Sequence, residues 1–494
     1  MLKNTLKAAN SGLFFYWLKK KCLFFRLSVC IINLQVFMLI FFGLGMKIEI
    51  KKFMSGERYV FLLDDDGMPD FWVTHFVTNK LRKKLTTSSI QQYLKSIKHL
   101  KLWENINGRD LLEEIYNGAI PTLDDINALK EHCSYRASVF KNQTKTNVTD
   151  MGKFHLSKSK DKPTVTKSQY ISRMAHITEY LHFCGKERVK KKPSASQLSD
   201  ALDLMKTQLK SDMPKDRLKS KQMALDKSGI PDDVFEDFVA VAKPNSEHNP
   251  FSNSVIRFRN YLIVQILYET GFRRSELAAL RIGDIGTDTD NPTLSVVRRH
   301  NSKEDPRLDE PTAKTLGRSI PISKELRDLL NIYVRTYRFQ TKAAKKHPFI
   351  FVSHKAKSGS HESGQPLVKQ TINDIFNRIR KVNFERFWGI TPHSFRHYFN
   401  HMLSKSIDQE KKAVEEEVER LEAEGKPQTA KLYADNNKIT KARELEIRAE
   451  KNGHSDPNSG RPYLKRTVIE QANKMRRKMH DNLKHKAEVG VYGC

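Results

Sequence analysis

The run Thr270-Gly-Phe-Arg-Arg-Ser-Glu-Leu-Ala-Ala-Leu-Arg-Ile-Gly-Asp-Ile285 decides how this chain is read. It follows the strongly apolar stretch Tyr261-Leu-Ile-Val-Gln-Ile-Leu-Tyr268, and Gly271 stands where a helix ends, because a residue without Cβ enters left-handed backbone at little cost. A second helix is expected to begin at once. Arg273 then sits at a helix N-terminus, where free backbone N–H groups, the helix dipole and a planar fork of donors together attract an anion. A single arginine at such a corner is commonplace, so its meaning depends on the rest of the chain.

Two later segments add to it. Thr391-Pro-His-Ser-Phe-Arg-His-Tyr-Phe399 places His393 and Arg396 three residues apart, on one helical face, where both can meet one phosphate. Asn452-Gly-His-Ser-Asp-Pro-Asn-Ser-Gly-Arg-Pro-Tyr-Leu-Lys-Arg466 sets His454 nine residues before Tyr463, and Pro462 at a first helical position puts Tyr463 in the opening turn of a helix. Met singly, a His-x-x-Arg pair is ordinarily a satisfied surface pair and a tyrosine after proline a packing residue.

Composition narrows the partner. The 494 residues carry 87 Lys+Arg against 57 Asp+Glu, a net charge of +30, which makes a polyanion, and above all nucleic acid, the first expectation. With 38% hydrophobic residues the chain can bury cores, in about two to four domains, so a wholly disordered or collagen-like protein is excluded. Five cysteines without a CxxC pair argue against a disulfide framework or a zinc site and for a reducing, cytoplasmic compartment. Residues 1–46 differ: Leu27 to Met46 is uncharged and about as long as a bilayer is thick. Read literally it is a membrane helix with a basic, cytoplasmic flank. An upstream mis-start, with the protein proper beginning at Met46, fits the rest of the chain better, so no membrane role is expected and the segment is given no function.

From there the pattern is mostly helical. In Ser88-Ser-Ile-Gln-Gln-Tyr-Leu-Lys-Ser-Ile-Lys-His-Leu-Lys-Leu-Trp103, Ile90, Leu94, Ile97, Leu100 and Trp103 recur at helical spacing, and helices are expected after Asp110, after Thr122 and from Ser168 until Gly185 closes the last. Asn142 to Lys167 reads as a basic loop. Lys186, Arg188, Lys190, Lys191 and Lys192 form a basic run, usually a solvated face but here a candidate phosphate track. Residues 55–192 thus make a helical region, 193–229 a charged helical linker and 230–494 a second domain, in which Thr293-Leu-Ser-Val-Val, Arg318-Ser-Ile-Pro-Ile and Phe349-Ile-Phe-Val read as strands. The expected class is mainly α with a small antiparallel β-sheet.

In this order and with this spacing, TGFRRSELAALRIGDI, a lysine on a hairpin, HSFRH and GHSDPNSGRPY resemble the tyrosine recombinase (phage integrase) family over about residues 230 to 480. The resemblance implies a helical core-binding domain followed by a mixed α/β catalytic domain of the DNA breaking-rejoining type. Carried over residue by residue, it makes Arg273 and Arg396 the active-site arginines, His393 and His454 the histidines, and Tyr463 the nucleophile. Lys314 in Ala313-Lys-Thr-Leu-Gly-Arg-Ser-Ile-Pro-Ile322 is the expected lysine, with Lys303 the alternative because the hairpin is lengthened around residues 299 to 311. It further implies double-stranded DNA as substrate, a homo-tetramer on two DNA sites, a last helix after residue 464 that docks on a neighbour, and a possible accessory bending or directionality factor. The chemistry suits the residues. Two guanidiniums and two imidazoles can neutralise the charge that grows on a phosphodiester under attack, without metal or cofactor, and no GxxxxGK[ST] loop for ATP is present. Tyr463, ordinarily titrating near 10, needs a base, here His393, and Lys314 would protonate the leaving 5′ oxygen.

One feature departs from the family. Arg396 and His454 lie 58 residues apart, and the surplus, residues 405–451, is densely charged with a thin apolar stripe. A solvent-exposed helical hairpin broken at Gly425-Lys-Pro is the plainer expectation, and a contact that regulates assembly the sharper one. The alternatives to a recombinase are a type IB topoisomerase, which uses much the same residues for a single cut, and a DNA-binding regulator derived from an integrase.

Overall fold

The computed structural model describes residues 46–141, 163–211, 213–214, 230–313, 315–355, 363–453, 455–456, 458, 475–477 and 479. The apolar segment before Met46 and most of the basic loop after Asn142 therefore lie outside the described residues, as does nearly all of the chain after Gly453. Among the described residues no helix is long and apolar enough to cross a membrane. The chain divides into two compact units, residues 1–51 with 58–216, and residues 52–57 with 217–494.

The first unit opens on two short paired strands, β1 (Lys47–Lys52) and β2 (Arg58–Leu63), where the sequence pattern gave only a polar beginning and helices. Among the described residues, six α-helices of six residues or more follow: α1 (Phe71–Phe76), α2 (Thr87–Ile106), α3 (Leu111–Tyr116), α4 (Leu123–Ser134), α5 (Lys167–Val189) and α6 (Ala195–Lys210). Their starts are capped as the sequence foretold. Asp110 and Thr122 accept from the backbone N–H three residues on; α5 starts one residue earlier than expected, at a reciprocal capping box of Thr166 with Gln169 in what read as the end of the basic loop. The periodic residues Ile90, Leu94, Ile97, Leu100 and Trp103 of α2 are all buried, against Met174, Ile177, Tyr180 and Leu181 of α5. Gly185 does not end α5. It lies inside the helix, where a Cβ would meet Leu202 of α6 at 3.0 Å, so its job is close packing and not capping. Leu202, Met205 and Leu209 join the same core, so the packed unit runs past the boundary drawn at residue 192 and takes in much of what charge alone made a linker.

The second unit holds α7 (Asp232–Ala242), α8 (Ser254–Thr270), α9 (Arg274–Ala279), the hairpin β3 (Thr293–Val296) and β4 (Arg318–Pro321), α10 (Lys324–Ile332), α11 (Lys369–Arg380), α12 (Pro392–Ala423), α13 (Pro427–Asn437) and α14 (Lys441–Asn452). Strands β3 and β4 pair antiparallel, with Thr293 opposite Pro321 and Val296 opposite Arg318. The third expected strand does not form. Phe349 and Val352 make isolated bridges to Arg281 and Pro366, because the buried Arg338 takes the Phe349 carbonyl that a ladder would need. An aromatic cluster of Phe235, Phe238, Phe376 and Phe395 binds α7, α11 and α12 into one core, with Leu262, Ile263 and Ile266 of α8 beside it.

Helix α12 runs 32 residues, from the predicted His-x-x-Arg motif far into the charged surplus. Gly425, at φ +73°, turns the chain, and Pro427 opens α13, so the hairpin breaks where Gly425-Lys-Pro foretold. Helix α14 then returns along α12 and ends at Gly453, whose φ of +66° gives it a left-handed cap.

Candidate active site

Gly271 closes α8 in left-handed backbone at φ +60°, as expected, and a Cβ there would lie 2.7 Å from the Phe399 ring of α12. The tight joint brings the start of α9 against α12. Arg396, only 1% exposed, reaches across it: Nη1 donates to the Gly271 carbonyl at 3.0 Å and Nη2 to the Asn452 carbonyl at 3.1 Å. Arg273 is the residue before α9, and its Nη1 donates to Glu276 Oε1 at 3.1 Å. Arg396 of α12 is thus anchored at Gly271, two residues before Arg273 on the turn that joins α8 to α9.

Glu276 is the centre that the sequence reading passed over. At 2% exposure its carboxylate takes the Arg273 backbone N–H at 3.0 Å, the Thr315 hydroxyl at 2.8 Å and the Arg318 guanidinium at 2.9 Å. Burial by itself would raise its pKa. Arg318, the Arg273 N–H and the nearby Arg396 outweigh that and bring it down to about 2. The signal was available, since a glutamate three residues after a helix cap is a capping-box position, but the same spacing is common on any helix surface. Arg318 also stacks 5.6 Å from the Phe272 ring and donates to the Lys451 carbonyl at 3.0 Å. Three guanidiniums around one carboxylate leave the locality positive by two charges, with none of the carboxylate exposed to repel an incoming anion.

His393 lies in the first turn of α12, exposed, one turn before Arg396, with its ring edge-on to His397 at 4.6 Å. Lys314, His454 and Tyr463 fall outside the described residues. Their described chain neighbours are informative. Thr315, next to Lys314, is held by Glu276, and Gly453, next to His454, accepts from the Leu316 N–H at 3.0 Å. Lys303 is exposed in the lengthened hairpin, in a loop pinned elsewhere: Ser302 and Glu304 bind the Arg281 guanidinium at 2.8 and 2.6 Å, and buried Arg307 reaches the Ala278 and Leu367 carbonyls.

In the first unit the basic run is largely engaged. Lys186 pairs with Asp203 at 2.8 Å, Arg188 with Glu113 at 2.6 Å, and Lys190 with Glu187. Arg188 and Lys192 also stack on Tyr116 at 4.8 and 3.8 Å. Lys190 and Lys191 are exposed.

The second unit thus sets Arg273 and Arg318 on one buried carboxylate with Arg396 close by, a concentration of positive charge that can attract an anion. Residues 240–416 match the model of the phage integrase family. The matched segment contains Arg273, Lys314, His393 and Arg396 and stops short of His454 and Tyr463. Among curated proteins the chain is similar to tyrosine recombinase XerC of Staphylococcus epidermidis, 28% identical over 30% of this chain and 42% of the relative. It is 26% identical to XerD of Halalkalibacterium halodurans over 35% of this chain and 49% of the relative. Transposase A from transposon Tn554 of Staphylococcus aureus is 33% identical over 28% of this chain and 34% of the relative. The chain spans half or less of the length of these relatives. Among solved structures, XerH site-specific recombinase bound to palindromic difH substrate aligns over 81% of this chain and 94% of its own, at 14% identity and a TM-score of 0.38. The Tn1549 transposon integrase aligns over 78% and 98%, at 18% identity and a TM-score of 0.35.

Proposed function

We propose that this protein is a site-specific DNA recombinase or integrase that cuts and rejoins strands through a 3′-phosphotyrosyl intermediate, in the integration or excision of a mobile element. The observation that carries the reading is the convergence on one turn of Arg273, tied to the buried Glu276, and Arg396, tied to the Gly271 carbonyl, inside the segment that matches the phage integrase family. Tyr463 would attack the scissile phosphorus and displace the 5′ oxygen. Arg273 and Arg396, with His393 and His454, would neutralise the charge that grows on the non-bridging oxygens, an arrangement of fixed donors that needs no metal. His393 would take the phenol proton, and Lys314 would give one to the leaving oxygen. Support for Lys314 over Lys303 comes from its neighbour Thr315, which binds the carboxylate that also binds Arg273, whereas the Lys303 loop is pinned at Arg281. Because the phosphotyrosyl link conserves the energy of the broken ester, the 5′ hydroxyl of another strand can reverse the step without ATP.

The helical first unit would bind duplex DNA, with Lys186, Arg188, Lys190, Lys191 and Lys192 tracking phosphates. Lys191 would contribute most, since Lys186, Arg188 and Lys190 are already paired with carboxylates and Lys192 with a tyrosine. A tetramer on two sites, with or without an accessory factor, belongs to the same reading, as does a cytoplasmic location. The test is covalent capture. The chain from Met46, incubated without metal or ATP with nicked suicide duplexes from its element's ends, should yield a denaturation-resistant adduct that Tyr463→Phe abolishes while DNA binding persists. An adduct that survives in Tyr463→Phe, or none on DNA that the chain binds, would overturn the reading.

A further inference from the structure

The contact between α12 and the end of α14 is polar where two packed helices would ordinarily bury apolar side chains. Asn400 and Asn452 are both fully buried there and bind each other through both amides: Asn400 Nδ2 donates to Asn452 Oδ1 at 3.1 Å, and Asn452 Nδ2 to Asn400 Oδ1 at 2.7 Å. Their remaining hydrogens go to the Arg396 and Arg448 carbonyls at 2.8 and 2.9 Å. Further along, Arg448, 1% exposed, donates to Ser404 Oγ at 2.9 Å and pairs with Glu444, which Lys411 also binds. Every donor of the amide pair is used, so the cluster accepts one register only.

The carbonyls at this end of α14 face the candidate site. A helix leaves its last carbonyls without intrahelical partners. Here Lys451 accepts from Arg318, Asn452 from Arg396 and the capping Gly453 from the Leu316 N–H. Asn452 therefore closes a circuit. Its carbonyl holds the Arg396 guanidinium, its amide grips Asn400, and Asn400 grips the Arg396 carbonyl one turn earlier on α12. A slip of α14 by one residue moves it about 1.5 Å along its axis, enough to break a contact now at 3.1 Å.

We propose that Asn452, locked by Asn400, is the positioning residue for Arg396, and that the charged extension of residues 405–451 acts on the candidate anion site through this amide pair. An apolar pair of the same size would pack the helices equally well but would leave their register free to shift. The extension is thereby coupled to the orientation of one guanidinium, which rests on the strand-transfer reading above.

The test uses the whole chain from Met46 and four proteins: the parent, Asn400→Ala/Asn452→Leu, Arg396→Ala and the triple variant. The double exchange removes both amides together, so neither is left buried without a partner. Adduct formation is timed on nicked suicide duplexes, with DNA affinity and thermal midpoint measured alongside. The double variant should form adduct at least tenfold more slowly, with affinity within twofold of the parent. The triple variant should be no slower than Arg396→Ala, because a residue that acts through Arg396 has nothing left to position. A double variant as fast as the parent, or losses that multiply in the triple, would overturn the proposal. Should the double variant melt below the assay temperature, Asn400→Ser is read in its place with the same two outcomes. A parent that forms no adduct removes the strand-transfer reading and this proposal with it, whereas a parent that reacts beside an equally fast variant removes this proposal alone.

Discussion

Replacing Glu276 by Gln keeps the shape of the buried centre and removes its carboxylate charge. The single amide oxygen can take the place of Oε2 and still accept from the Arg273 N–H, and the Thr315 hydroxyl can turn to accept from the amide NH2 at the other position, but the Arg318 guanidinium, with its side chain 2% exposed, loses the negative charge 2.9 Å away. Breaking a buried pair on one side costs about 3–5 kcal/mol, because the remaining charge stays buried and uncompensated. An independent route gives a similar size. A carboxyl held at about 2, against an ordinary value of 4.5, contributes about 3 kcal/mol to folding at neutral pH. At about 2–4 °C per kcal/mol for a unit of this size, the thermal midpoint of the second unit should fall by roughly 6–12 °C. The sign of the pH dependence follows from a folded pKa below the unfolded one. The contribution is fully present above 4.5 and is lost as pH falls toward 2, so the gap between parent and variant should be constant from pH 7 to pH 5 and should close below that. Circular dichroism melts of both proteins across that range measure it. A fall of less than about 2 °C at pH 7, or a gap that does not narrow in acid, would refute the claim that Glu276 carries the charge of this centre.

Other perturbations separate parts of the account. Gly453→Ala and Gly425→Ala both force a side chain into left-handed backbone, at about 1–2 kcal/mol, but only at Gly453 would the Cβ meet Arg318 Nη1 at 2.8 Å and the Leu316 carbonyl at 2.9 Å. Urea unfolding should therefore find Gly453→Ala the more damaging, and equal midpoints would show that the cap is not held against the hairpin. Lys314→Ala should slow strand cleavage by at least a hundredfold while Lys303→Ala stays within a fewfold of the parent, as timed adduct formation will show; the reverse order would move the active-site lysine to the 299–311 loop. Arg273→Ala and Arg396→Ala should each lower the cleavage rate about 10²–10³-fold, the usual cost of removing one preorganised donor, with Tyr463 still present, and a parental rate in either would withdraw that arginine.

The helices were legible because they rest on local rules. The apolar spacing of α2 and the caps at Asp110 and Thr122 are sequence patterns, and each reappears in the structure. So is the left-handed end of α8 at Gly271. What failed was decided by partners distant in sequence. Gly185 looks like a cap until Leu202 is packed on it, and Phe349–Val352 looks like a strand until Arg338 claims its carbonyl. The paired arginines were visible as motifs, whereas Glu276 becomes central only once Thr315 and Arg318 arrive from about 40 residues away. The amide pair of Asn400 and Asn452, separated by the whole extension, leaves no trace in any local pattern.

The most direct test of the central claim is to find the atom that holds the DNA. Adduct trapped on a nicked suicide duplex is digested with nuclease and protease and analysed by tandem mass spectrometry. The account predicts a nucleotide joined through its 3′ phosphate to the phenol oxygen of Tyr463, on one peptide and no other. A nucleotide on a different residue, or cut DNA released with no covalent protein at any time point, would contradict it.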